Sequence, residues 1–71
     1  MVSLAETFRT NLVELRKKRS ITQQELADIL NKHRPFVADL ERGRNAPTLQ
    51  TIEAIARAFD VNPVSLLQIK K

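Results

Sequence analysis

The stretch TQQELADILNKHRPFVADLERGR, residues 22–44, decides the fold. It opens with Thr22-x-x-Glu25, a spacing that lets the threonine hydroxyl accept from the amide three residues on while the glutamate reaches back to the threonine amide. Leu26, Ala27, Ile29 and Leu30 follow, so a helix is expected over about 23–30. Asn31 stops it, because after glycine the short amide side chain best tolerates positive φ. Pro35 fits a helix only in its first turn, where a missing amide costs no bond, so a second helix starts at about 34 with His33 near its cap. Phe36, Val37 and Leu40 mark its apolar positions, and Gly43, the only glycine in the chain, closes it. Two short helices joined by a tight turn result.

The flanks read the same way. Ser3-x-x-Glu6 repeats the capping pattern ahead of Phe8, Leu12 and Leu15, which gives a first helix over about 4–18. Pro47 and Thr48 introduce a helix over about 49–59, with Leu49, Ile52, Ile55, Ala56 and Phe59 facing inward. Asn62-Pro63 caps a final helix that carries Leu66 and Leu67. Apolar residues recur at three and four rather than at two, so the expected class is all-α, a compact five-helix domain over 1–71 with no strands.

Composition narrows the chemistry. At 71 residues one core is barely sufficient, and with no cysteine neither a disulfide nor a thiolate metal site can reinforce it. Self-association is the remaining aid, and a reducing, cytoplasmic setting fits. The amino-terminal MVSLAETFRT lacks the charge and apolar pattern of a signal peptide, and no run is long enough to span a membrane. One histidine and no phosphate-cradling glycine loop leave no parts for an enzyme, a metal centre or a cofactor. Twelve Lys plus Arg against eight Asp plus Glu give a formal charge of +4, which favours a polyanion. RKKR at 16–19 ends the first helix, where cations also complement the helix dipole, and Lys32, Arg34, Arg42 and Arg44 cluster around the second short helix of the opening stretch.

Small Ala27 lets the two short helices approach closely, with Leu26, Leu30, Val37 and Leu40 filling the space between and below them. The stripe of Val37 and Leu40 leaves Arg34, Pro35, Ala38 and Asp39 on the outer side of the second. A helix so exposed suits a major groove.

TQQELADIL, the LERGR closure and APTLQTIEAIARAFDVNP together resemble the lambda-repressor-like, Cro/C1-type helix-turn-helix family over roughly 12–67. Departures are Asn31, where the family usually has glycine, Lys32 in place of a hydrophobic residue, and His33 in place of a capping Ser or Thr. The resemblance implies a sequence-specific transcriptional regulator, most simply a small repressor, bound as a dimer to a palindromic stretch of double-stranded DNA. It also implies an ion pair between Arg16 and Glu41. Arg34, Pro35, Ala38 and Asp39 are then expected to read bases, with Arg34 donating to guanine and Pro35 and Ala38 touching thymine methyls. Asp39 has two uses open to it, accepting from a cytosine amino group or pairing with Arg42. Thr22, Gln23, Lys32, His33, Arg42, Arg44 and Asn45 are expected at phosphates, Gln23 through its side chain and the amides of its helix. The last two helices are the expected dimer surface, with Val61, Val64 and Leu67. No small-molecule effector is expected. A restriction-modification controller, an antitoxin-type regulator and a protein-binding module of the same fold are the alternatives.

Overall fold

The computed structural model describes residues 3–69. Four α-helices follow in order, α1 (Leu4–Lys18), α2 (Gln23–Ile29), α3 (Arg34–Arg42) and α4 (Leu49–Phe59), and a 3₁₀ turn over Pro63–Leu67 closes the described chain. No strand occurs among the described residues. The last element is the main departure from the expected five α-helices. Its five residues follow Asn62, whose Oδ1 accepts from Val64 N at 2.9 Å, and they end where Gln68 returns to extended backbone. Too short for α-helical bonds to accumulate, the segment takes the tighter winding.

Helix starts follow the capping chemistry. At α2 both arms of the box are made, Thr22 Oγ1 accepting from Glu25 N at 3.0 Å and Glu25 Oε1 from Thr22 N at 2.9 Å. At α1 Ser3 Oγ accepts from Glu6 N at 3.1 Å, which is the forward arm alone. At α4 Thr48 Oγ1 takes the Thr51 amide at 3.1 Å.

The four helix ends share one device. Each has a residue at positive φ just past the helix: Ser20 (57°), Asn31 (59°), Gly43 (79°) and Asp60 (55°). In each case the following amide reaches back to a carbonyl of the last turn, Ile21 to Arg16 at 3.0 Å, Lys32 to Ala27 at 2.8 Å, Arg44 to Asp39 at 2.9 Å and Val61 to Ala56 at 2.9 Å. This closure satisfies carbonyls that would otherwise be orphaned and turns the chain sharply, so four helices fit in a short sequence. Asn31 and Gly43 are the two of these stops that the sequence signals. Ser20 and Asp60 lacked the glycine signal.

Phe8, Leu12, Leu26, Ala27, Val37, Leu40, Ile52, Ile55, Ala56, Phe59 and Leu66 form one core, with Leu15, Ile21, Leu30, Phe36, Val61 and Leu67 packed around it. Leu49, expected inward, is 75% exposed. It is the first residue of α4, about a turn before Ile52 reaches the core. Asn11 holds the far end of the chain in place. Buried on α1, its Nδ2 donates to the carbonyls of Leu66 at 2.9 Å and Gln68 at 2.8 Å, with Ser65 at 3.4 Å, so the 3₁₀ turn is fixed to the first helix.

Candidate nucleic-acid interface

The site begins with how α3 is held. Both α2 and α1 pack on it. Ala27 is fully buried and admits α3 close to α2, while Val37 and Leu40 are buried beneath. At about 100° per residue, Val37, Ala38, Leu40 and Glu41 together sweep an inward arc of roughly 160°. That is wider than the two-residue stripe expected from sequence, because α1 adds a second partner. The correction falls on Ala38, which is 6% exposed and has no methyl to offer a base. Pro35, Asp39 and Arg42 form the outward arc instead, at i, i+4 and i+7. Arg34 shares a flank with Ala38 and Glu41, but as the first residue of α3 it projects past the core and is exposed.

Glu41 is the hub of a polar network beneath this surface. Arg16 Nε donates to its Oε2 at 2.6 Å and Nη2 to its Oε1 at 3.0 Å, with side chains only 13% and 8% exposed. The remaining Arg16 nitrogen, Nη1, donates to Ile21 O at 2.9 Å in the α1–α2 loop. Gln23 Nε2 donates to Glu41 Oε1 at 2.9 Å. Four pieces of chain are thereby tied at one point: α1, the loop after it, the first turn of α2 and the last turn of α3. The Gln23 amide, expected to face phosphate, is turned inward, because the nearby carboxylate is a stronger acceptor than water.

The other expected positions spread across one side. Lys32 and His33 are exposed in the turn, and the Lys32 ammonium lies 5.3 Å from the centre of the Phe36 ring. His33 occupies the cap position of α3 without a side-chain capping bond. Thr22 is exposed while serving as the cap of α2. Arg42 Nη2 donates to Asp39 Oδ1 at 3.2 Å, and Arg44 and Asn45 are exposed just beyond Gly43. Arg34, Lys32, Arg42 and Arg44 thus line α3 and its two ends with positive charge.

Not every cation joins them. Within RKKR, Arg16 is spent on Glu41, and Arg19 Nη1 donates to Phe59 O at 3.0 Å while its guanidinium lies 6.0 Å from the Phe59 ring centre. These two arginines fasten α1 to α3 and α4. Arg9, which sequence reading passed over, donates from Nη1 to the Arg42 carbonyl at 3.4 Å and lies against Gly43, supporting the end of α3.

Residues 12–66 match the Helix-turn-helix protein family. The chain belongs to this family. Its Cro/C1-type branch is a DNA-binding family rather than an enzymatic one. Among curated relatives, the chain is 45% identical over 55 residues to the immunity repressor protein of Bacillus phage phi105, covering 78% of this chain and 38% of that protein. It is 38% identical over 50 residues to the control protein C.BamHI of Bacillus amyloliquefaciens, covering 70% of this chain and 62% of that one. The chain therefore spans less than two thirds of either relative. The crystal structure of the clp gene regulator ClgR from C. glutamicum shares the fold, with a TM-score of 0.85 at 22% identity, covering 94% of this chain and 87% of that one. Among the described residues no helix is long and apolar enough to cross a membrane.

Proposed function

We propose that this protein is a sequence-specific DNA-binding transcriptional regulator, a small repressor in its simplest form, that binds a palindromic operator as a dimer with α3 in the major groove. One observation carries the reading: α3 commits its inner arc to α1 and α2 and leaves Pro35, Asp39 and Arg42 outward, with exposed Lys32, Arg34 and Arg44 at its ends. Arg34 is the leading base reader, since a guanidinium can bridge guanine O6 and N7. Lys32, Arg44 and Asn45 serve phosphates, with Thr22 and His33 at the edge of that surface. Gln23 acts from behind through Glu41.

Dimerisation is supported by an apolar groove between the start of α4 and the 3₁₀ turn, lined by Leu49, Ile52, Pro63, Val64 and Leu67 with Gln50 and Glu53 at its rim. Val64 is 57% exposed there. Leu67 and Val61 are half-buried against the core, so Leu49 and Val64 present most of the free apolar surface and Val61 contributes little. A second copy covering such a groove would supply the second α3 helix that half-sites roughly 34 Å apart require. A phage-type repressor and a restriction-modification controller are equally compatible with this reading.

Fluorescence anisotropy on duplex DNA from upstream of the gene, against a scrambled duplex at two salt concentrations, tests the reading. A preference of tenfold or more, about 1.4 kcal/mol, for the upstream DNA is expected. Equal binding to both duplexes that falls steeply with salt would reduce the surface to a general polyanion binder.

A further inference from the structure

We infer that Asp39 and Arg42 read one C·G base pair as a unit, Asp39 accepting from the cytosine amino group and Arg42 donating to guanine. The inference rests on the DNA-reading function proposed above and assigns a base preference to it.

Asp39 is the anomaly of the outward arc. It sits between Pro35 and Arg42 on a helix flanked by Lys32, Arg34 and Arg44, where a lone carboxylate would be repelled by every phosphate it approached. Its bond to Arg42 resolves this. Arg42 Nη2 donates to Asp39 Oδ1 at 3.2 Å while the Asp39 side chain remains 28% and that of Arg42 59% exposed, so the bond leaves both groups partly accessible. The pair carries no net charge. A recognition surface can therefore hold an acceptor without opposing the DNA.

That acceptor has few targets. In the major groove only cytosine N4 and adenine N6 donate. Adenine N6 lies between two acceptors, its own N7 and the O4 of the paired thymine, which a carboxylate must also approach. Cytosine N4 has guanine O6 and then N7 on one side only. Across a C·G pair the groove thus presents a donor followed by two acceptors. The ion pair presents the complement, an acceptor followed by guanidinium donors. The backbone beneath is fixed, because Asp39 O accepts from Arg44 N at 2.9 Å and Arg42 O from Arg9 Nη1 at 3.4 Å.

The experiment is selection from a pool of duplexes with a randomised core by the full chain and by Asp39→Ala, Arg42→Ala and the double variant, with circular dichroism melts to confirm folding. Anisotropy then measures binding to the selected duplex and to one with that base pair changed. The wild type is expected to enrich a motif with one fixed C·G pair in each half-site and to discriminate against its replacement by at least tenfold. Each single variant should lower that discrimination to twofold or less while keeping the rest of the motif, and the double variant should be no worse than either. Retention of the C·G preference in Asp39→Ala overturns the inference. So does its loss in Asp39→Ala with full retention in Arg42→Ala, which would place Arg42 on a phosphate. A wild-type pool with no enriched motif rejects base reading altogether, and that outcome is distinct from a motif that either variant leaves intact.

Discussion

Arg16 and Glu41 join the first helix to the end of the third through paired hydrogen bonds of 2.6 and 3.0 Å, and Gln23 completes the carboxylate's coordination at 2.9 Å. Both charges are largely removed from water, so their attraction is offset by desolvation and the pair adds less stability than its geometry implies. Breaking it is a different matter. Glu41→Ala leaves a buried guanidinium unpaired and is expected to cost about 3 kcal/mol, read as a lower urea midpoint. The double replacement Arg16→Met, Glu41→Leu should recover most of that loss, since packed apolar groups can replace a buried pair. Operator preference should not recover with it, because the network also sets α3 against α2. Restored stability together with restored preference would show that the pair has no orienting role.

Arg34 and Arg44 should separate by what they do to specificity. Arg34→Ala is expected to lower affinity for the operator by about 1–3 kcal/mol and to relax selection at one position, leaving non-specific binding nearly unchanged. Arg44→Ala should weaken operator and scrambled duplexes alike and reduce the slope of log affinity against log salt by about one. Anisotropy over a salt series with both duplexes gives all four quantities. Equal effects of the two substitutions would place Arg34 on a phosphate.

Much of this architecture was legible in the sequence, and what escaped has a common physical origin. Local chemistry set the helix limits: the Ser3 and Thr22 caps, Asn31, Pro35, Gly43 and Thr48 act on neighbours within a few residues, and α1, α2, α3 and α4 start where those signals require. The residues that escaped act at long range or on the backbone. Asn11 bonds carbonyls more than fifty positions away, Arg19 reaches Phe59, and Arg9 reaches Arg42, and a backbone carbonyl carries no side-chain signature to predict such partners. Ala38 was misplaced because a helix wedged between two neighbours has a wider inner arc than periodicity alone reveals. Leu49 was misplaced because a residue in phase with a buried stripe can still lie beyond the end of the core.

That exposed leucine is the point at which the dimer can be tested. Leu49→Glu places a charge on the apolar groove outside the core, so the dissociation constant of the proposed dimer should rise at least tenfold, about 1.4 kcal/mol, while the helical circular dichroism spectrum is unchanged. Val64→Asp should behave alike. Sedimentation equilibrium measures the first effect, and operator titration should show affinity falling in parallel. Unchanged association in both variants would move the interface elsewhere.

Ser20 offers a stabilising substitution on purely backbone grounds. It holds φ at 57°, a left-handed conformation that costs an L-residue with a side chain about 1–2 kcal/mol. Asn31 and Asp60 occupy the same conformation at the ends of α2 and α4, but their side chains tolerate it better than serine does. Ser20 is exposed, and the bonds that close α1 there, Ser20 N to Lys17 O and Ile21 N to Arg16 O, both at 3.0 Å, use the main chain alone. Glycine preserves both and removes the Cβ conflict, at the cost of a more flexible unfolded chain. The balance favours Ser20→Gly by about 0.5–1 kcal/mol, seen as a higher urea midpoint with an unchanged slope. Gly43→Ala is the opposite case. Its φ of 79° would strain any side chain, and a Cβ there would lie 2.5 Å from Arg9 Nη1, displacing that guanidinium from the end of α3. A loss of about 1–2 kcal/mol is expected at Gly43. If the two substitutions moved stability in the same direction, left-handed strain would not be what limits these helix ends.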